Sequence, residues 1–322
     1  MTWKIGDIAI GGKAVLASMT KITTLPFRLL CRELGTRLAF TEMVNCNAVS
    51  RGNKAAKRVF YTVPADAPLG IQLLGSRPDK FLQTAREINC PHAGTFLEVN
   101  FSCPDREVLA QGAGAALLCR PTRIKDIVSC LVNEQPLPVT AKICLQSTDV
   151  TKAVKTACLL EKSGVSAITV HARTIKQKNS GPPVLKALRA IKKVVAVPVI
   201  GNGGVKGSVR TFDKMLSDTS CDAVMIGKAA IYHPGLFGRL EGNQDWQRFP
   251  PETRFSWLRS YTEYAITYGV LNTAHLIQRA KDFLRPFIQL SEIDNLYNLA
   301  DDTNSFLSLL ESEIKSCGFL KR

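Results

Sequence analysis

Leu97-Glu98-Val99-Asn100-Phe101-Ser102-Cys103-Pro104-Asp105-Arg106, followed by Gln111-Gly112-Ala113-Gly114-Ala115-Ala116-Leu117-Leu118, is the stretch whose reading decides the fold. An apolar run ends on a polar residue. A turn then carries a thiol ahead of a proline, and a glycine-rich loop opens towards the next helix. This is how a parallel strand runs out at the rim where α/β folds bind ligands. Pro104 fixes its own φ and biases Cys103 towards extended conformations, so the thiol is held rather than mobile. Gly112 and Gly114 let backbone pass close to the rim, and are expected to let the loop close over an inserted group. A buried cysteine capping a strand end would read in much the same way, since free cysteines are among the most buried residues. The polar residues around Cys103 favour a functional thiol.

Working outward, the same grammar recurs. Ala14 to Met19 is a buried strand ending at Thr20, and Leu38 to Thr41 is a second. Leu69 to Gly75 is the third and carries Gln72, and the stretch at Leu97 is the fourth. Val139 to Ile143 carries Lys142, Ala167 to His171 ends on its histidine, and Val197 to Gly201 precedes Asn202-Gly203-Gly204. Ala223 to Gly227 is the eighth. Helical segments separate them, several opened by Pro (Pro26, Pro78, Pro121) and stopped by Gly (Gly35, Gly164). Eight strands alternating with helices predict a (β/α)8 barrel, a TIM barrel, over residues 1–240. A doubly wound sheet is the competing architecture, disfavoured by the strand count and by the polar residues at so many strand ends. Trp3 to Ile10 is expected to form a short strand and turn across the barrel floor.

Beyond about residue 240 the period changes. Trp257, Tyr261, Tyr264, Ala265 and Tyr268 recur at helical spacing, as do Leu276, Ala280, Phe283 and Leu284, then Phe306, Leu309, Leu310 and Ile314. Three amphipathic helices are expected in a C-terminal all-helical domain over 241–322, with Gln244 to Pro251 as the linker.

Composition narrows the function classes. With 45% hydrophobic residues among 322 the chain can bury a large core, and no run of about 18 uncharged apolar residues suggests a membrane span. The N-terminus has no basic-then-apolar signal pattern. Ten scattered cysteines without CxxC pairs fit reduced thiols in the cytoplasm better than a disulfide framework or a metal site. The net charge is +15, yet residues 241–322 carry 9 Lys/Arg against 11 Asp/Glu, so the excess lies on the barrel. Such an excess suits a polyanion, although a basic protein need not have one. Candidate phosphate contacts are Arg51, Lys54, Lys57, Arg58, Arg106, Lys176 and Lys178, with Arg279, Lys281 and Arg285 from the helical domain. No obligate protein partner is evident.

Ser18, Gln72, Asn100, Cys103, Lys142, His171, Arg173 and Asn202 all stand at C-terminal strand ends, so a barrel brings them to one mouth. Burying Lys or His uncompensated costs several kcal/mol, which favours function at Lys142 and His171. Asn202-Gly203-Gly204 and Gly227-Lys228 follow strands seven and eight, the recurrent phosphate site of this fold. A flavin mononucleotide (FMN) fits this layout. Its phosphate would lie at those loops, its ring over the mouth, and Gln72, Asn100 and Lys142 at the ring's polar edge.

At this point the chain resembles the tRNA-dihydrouridine synthases. The resemblance runs from about Val15 to Phe237, through Leu25-Pro26-Phe27-Arg28, Thr41-Glu42-Met43, Gln72 to Gly75, Asn100 to Pro104, Gly112 to Leu118, Thr169 to Thr174, Asn202-Gly203 and Ala223 to Ala230. It implies an FMN-dependent oxidoreductase with a C-terminal helical domain that reduces uridines of tRNA with NADPH. It further implies flavin contacts from Ser18, Met19, Thr20, Gln72, Asn100, Lys142, His171, Asn202, Gly203, Gly204, Gly227 and Lys228, with Cys103 as the catalytic acid. Arg106 and Arg173 are the candidate substrate contacts. The chain departs from the family pattern at Ser18, Ser102, Cys144, Asn179 to Pro183 and Lys228, which touches substrate geometry more than the flavin site. The Asn-x-Ser-Cys-Pro loop also looks like that of dihydroorotate dehydrogenases, a family with Asn after the Pro and no separate helical domain. A tRNA-binding homologue without turnover is a third reading, suggested by Cys144 where the family carries a cation.

Overall fold

The structure, a computed structural model, describes residues 2–88, 92–242 and 249–316. The chain opens with an antiparallel hairpin, β1 (Thr2–Ile5) and β2 (Ile8–Gly11), and then enters the barrel at β3 (Ala14–Leu16). The following strands are β4 (Ala39–Phe40), β5 (Val44–Asn45), β6 (Leu69–Leu74), β7 (Thr95–Phe101), β8 (Val139–Leu145), β9 (Ala167–Thr174), β10 (Val199–Asn202) and β11 (Ala223–Ile226). All pairings are parallel, in the order β3-β11-β10-β9-β8-β7-β6-β4. The Leu16 N–H donates to the Leu38 carbonyl at 3.0 Å beside a parallel Val15–Leu38 bridge, and this closes the ring. The expected eight-stranded barrel is therefore present.

One strand is interrupted. β4 and β5 both pair with β6, but Val44 lies four positions on from Phe40 where β6 advances only three, from Gly70 to Leu73. The extra residue bulges Thr41–Met43 out of the ladder, and the Thr41 hydroxyl accepts the Gln72 N–H at 3.1 Å.

Side chains alternate along each strand, so one set fills the barrel interior. At the floor that set is apolar: Val15, Leu38, Phe40, Phe96, Ala167, Ile200, Ala223 and Met225, all buried. Ile5 and Ile10 of the hairpin are buried in the same cluster, so the N-terminal segment plugs the floor as expected, as two strands rather than one. Gly70 is dictated by this packing, because a Cβ there would stand 2.4 Å from the Phe40 ring.

The helical region contains four helices among the described residues, Pro251–Thr267, Thr273–Leu284, Leu290–Leu299 and Thr303–Ser316, not three. Leu290–Leu299 lacks a helical apolar stripe, because Leu290 and Leu299 are 51% and 74% exposed and only Ile293 and Leu296 are buried. The region docks on the first barrel helix, Leu25–Glu33, where Phe27 stacks on Phe283 at 6.5 Å and Trp257 meets Phe283 edge-on at 5.9 Å. Most of the expected linker lies outside the described residues. No described helix is long and apolar enough to cross a membrane, and the eight described cysteines are free.

Candidate active site at the barrel mouth

On β6 to β10 the inward row turns polar one step above the floor, starting on β6 with Gln72 after Gly70. On β7 it reads Phe96, Glu98, Asn100. On β8 Thr140 is followed by Lys142, on β9 Ala167 by Thr169 and His171, and on β10 Ile200 by Asn202. Register places Gln72 beside Glu98, Asn100 beside Lys142, and His171 beside Asn202.

The backbone of the Cys103 turn fixes how these groups bond. The Ser102 and Cys103 N–H groups donate to Asn100 Oδ1 at 2.8 and 2.9 Å. A backbone N–H can only donate, so Asn100 must turn its Nδ2 the other way, and it donates to Gln72 Oε1 at 2.8 Å. Gln72 is left to donate its Nε2 to Glu98 Oε2 at 2.5 Å. The Thr169 hydroxyl donates to Glu98 Oε1 at 2.9 Å. Three buried side chains on two adjacent strands thus brace the thiol's turn. Glu98, which drew no role from the sequence, is the deepest of them and wholly buried.

Lys142 is buried, with its Nζ 3.3 Å from the soft Met225 Sδ. Burial lowers its pKa, and the Glu98 charge counteracts that fall. Burial raises the Glu98 pKa in turn, with Lys142 opposing. Cys103 is half-buried, and burial pushes its thiol up. Cys144, where a cation was expected on family grounds, is buried and pushed up to about 12, mainly by burial, so it stays a neutral thiol.

His171 stands over the β9–β10 side, 3.3 Å from Arg173 Nη1, and burial, then the Lys142 and Arg173 charges, lower its pKa to about 4. Arg173 is half-buried and donates its Nε to the Gly181 carbonyl at 2.9 Å. Asn202 donates its Nδ2 to the Met225 carbonyl at 2.8 Å. Gly203 (φ +108°) and Gly204 (φ +82°) occupy left-handed backbone, and their missing Cβ atoms would stand 3.0 Å from the His171 ring and 2.7 Å from Pro183. A shallow cradle results that only glycine permits. Gly227 lies beside the end of β3, 3.5 Å (from its would-be Cβ) to Met19 Sδ, and starts the helix Lys228–Tyr232 with no side-chain cap. Ser18 Oγ is buried and has no hydrogen-bond partner in the protein. The Met19 N–H donates to the Thr23 hydroxyl at 3.0 Å, and Thr20 and Lys228 are exposed.

Other sequence expectations fall differently. Gly114 does not sit in a loop free to close over the mouth. It packs behind the thiol, where a Cβ would be 2.7 Å from the Cys103 carbonyl oxygen, and the Ala115 N–H donates to that oxygen at 3.0 Å. Arg106 is exposed at the start of the short helix Arg106–Ala110. Arg279 is not available to phosphate: it is 3% exposed, paired with Asp282 at 2.7 Å and laid over the Phe27 ring. Lys57 and Lys281 are paired with Glu87 and Asp294, each at 2.5 Å. A separate cleft of about 910 Å³ runs between the rim and the helical region, lined by Glu42, Arg58, Tyr61, His92, Tyr268 and His275 among others. None of the mouth's polar residues lines it.

The family model described as "Dihydrouridine synthase" matches residues 15–283. The chain belongs to the dihydrouridine synthase family. Curated relatives agree. A "Probable tRNA-dihydrouridine synthase" of Aquifex aeolicus is 36% identical over 240 residues, covering 73% of this chain and 74% of that one. A "tRNA-dihydrouridine synthase B" of Yersinia pestis is 34% identical over 240 residues, covering 74% of each. Among solved structures, "Crystal structure of TcOYE with pHBA" superposes with a TM-score of 0.54 at 14% identity, over 84% of this chain and 98% of that chain, a likeness of fold. The dihydrouridine synthase match continues past the barrel into the helix Thr273–Leu284, which the dihydroorotate dehydrogenase alternative does not account for.

Proposed function

We propose that this dihydrouridine synthase family member reduces uridine in tRNA to 5,6-dihydrouridine, with FMN as its cofactor and NADPH as reductant. The observation that carries the reading is the braced thiol of Cys103 beside Lys142 at one barrel mouth. Residues 1–240 form the catalytic barrel in this reading and 241–322 a tRNA-binding helical domain.

The residues present fit a flavin. The Gly203-Gly204 cradle and the uncapped turn at Gly227-Lys228 offer backbone N–H groups and one exposed cation to a phosphate. Ser18 Oγ, buried without a partner, is a polar atom awaiting one. Met19, Thr20, Gln72, Asn100, Lys142, His171 and Asn202 would complete the contacts. A flavin held there would supply, when reduced by NADPH, the hydride that uracil needs at C6.

The chain's own residues supply the rest. Addition across C5–C6 needs a proton at C5, and Cys103 Sγ holds one, because burial keeps the thiol protonated at neutral pH. Asn100 keeps that sulfur in place through the two backbone N–H groups it accepts. After transfer the thiolate regains its proton from water, and Lys142 steadies the negative charge meanwhile. Arg106 and Arg173 are the substrate-side cations. The target nucleotide must leave its stack to reach the mouth. The neighbouring cleft, with Arg58 and the 45% exposed Tyr61, suits the flanking strand through charge and stacking. A tRNA substrate and unpaired cysteines point to the cytoplasm as the site of action.

Two observations test this. The purified protein should be yellow and release FMN on denaturation, and tRNA from cells lacking the gene should lose dihydrouridine at defined positions. A protein that stays colourless with added FMN, or an unchanged modification profile, refutes the proposal.

A further inference from the structure

Glu98 is a carboxylate at 0% exposure inside a barrel, where an uncompensated charge is costly. Two kinds of contact explain its presence. Both oxygens accept: Oε2 from Gln72 and Oε1 from Thr169. The chain read back from the Cys103 N–H through Asn100 and Gln72 ends on an atom that must accept, and a carboxylate is the side chain that only accepts. Glu98 and Lys142 also point inward from the adjacent strands β7 and β8, one step apart in register, so the carboxylate faces the buried ammonium. Met225 Sδ is a weak acceptor, so Lys142 lacks a strong direct partner, and the Glu98 charge is the largest influence favouring its protonated form. The other titratable groups that face Lys142 are Cys103, Cys144 and His171, with Arg173 behind His171. The first two are neutral thiols at neutral pH and His171 is a neutral imidazole there.

We propose that Glu98 is the anionic anchor of the mouth, a positioning residue that keeps Lys142 an ammonium and sets the donor–acceptor direction of the amide chain ending at Cys103. It touches neither substrate nor thiol and acts through Lys142, Gln72 and Asn100. The assignment gives mechanistic meaning to the uridine-reducing reading and rests on it for that meaning. Its test reads the thiol itself, so that failure here and failure of that reading are separate results.

The test is alkylation of Cys103 by iodoacetamide between about pH 7 and 10, followed on the Cys103 peptide by mass spectrometry. Wild type is compared with Glu98→Gln, Lys142→Met and the double variant. Gln at 98 still offers an oxygen to Gln72 but carries no charge. Lys142 then loses its proton at lower pH and ceases to stabilise the Cys103 thiolate. Alkylation near pH 9 should slow about threefold or more, the effect of roughly half a pKa unit at the thiol. In the Lys142→Met background the same change should do nothing further. Equal rates in wild type and Glu98→Gln, or an undiminished effect without Lys142, overturn the assignment. Should Glu98→Gln be too unstable, the double variant buries no unpaired charge and is compared with Lys142→Met alone. A further slowing there overturns the anchor, because it would reach the thiol without Lys142.

Discussion

Replacing Asn100 by Asp changes one NH2 for one oxygen at a site only 4% exposed, and isolates the link between the thiol's turn and the barrel interior. One carboxylate oxygen can still accept the Ser102 and Cys103 N–H groups. The other stands where Nδ2 donated to Gln72 at 2.8 Å, and now faces the Gln72 carbonyl oxygen. Gln72 cannot rotate its amide to meet it without turning its own oxygen onto Glu98. One acceptor-to-acceptor contact is therefore unavoidable, at about 1–3 kcal/mol for the unsatisfied buried groups. A second buried carboxylate near Glu98 adds repulsion, so the total is about 2–4 kcal/mol at neutral pH. Protonation relieves it, because a carboxylic acid can donate. The folded-state pKa of the introduced acid is thus raised above the unfolded value of about 3.9. The loss is fully present above that folded pKa and shrinks as pH falls through it. Equilibrium urea unfolding, followed by circular dichroism at about pH 7.5 and 5.5, measures both. A stability within about 0.5 kcal/mol of wild type at the higher pH, or a deficit that does not shrink at the lower, refutes the fixed-direction chain.

Cys103→Ala should retain FMN and its oxidation of NADPH by oxygen, while dihydrouridine formation falls by about two orders of magnitude, as liquid chromatography of digested tRNA would register. Affinity for tRNA should fall steeply with salt, since the excess positive charge lies on the barrel, and a flat response in filter-binding titrations would exclude phosphate-dominated binding. His171, with its pKa lowered to about 4, takes no proton in the folded state where the unfolded chain does. Its contribution to stability is therefore lost as pH falls from about 6.5 towards 4, and His171→Gln should flatten the stability–pH curve over that window.

Much of this molecule could be read in its chain because the barrel repeats one local pattern. Val-Ile-Leu runs that end on Gln72, Asn100, Lys142, His171 and Asn202 announce both the strand and its mouth, and the register brings those residues together. What escaped was whatever depends on a partner far along the chain. Glu98 looks like a stray charge in an apolar strand until Gln72 and Thr169, 26 residues before and 71 after, close on it. Arg279 reads as a free cation until Asp282 and Phe27 bury it. The bulge at Thr41–Met43 leaves no mark in composition, because only the β6 register shows the extra residue. Gly114 reads as a close-approach residue, but its neighbour is the Cys103 carbonyl behind the thiol and not a ligand before it.

The central claim is that this mouth adds hydride and proton across the C5–C6 bond of a tRNA uridine. The most direct measurement incubates purified protein with FMN, NADPH and an unmodified tRNA transcript, then weighs the nucleosides by mass spectrometry. The account predicts a uridine heavier by two hydrogens at discrete positions, formed only when flavin and NADPH are both present and nearly abolished in Cys103→Ala. Flavin-loaded protein that oxidises NADPH yet leaves every uridine at its original mass would contradict it.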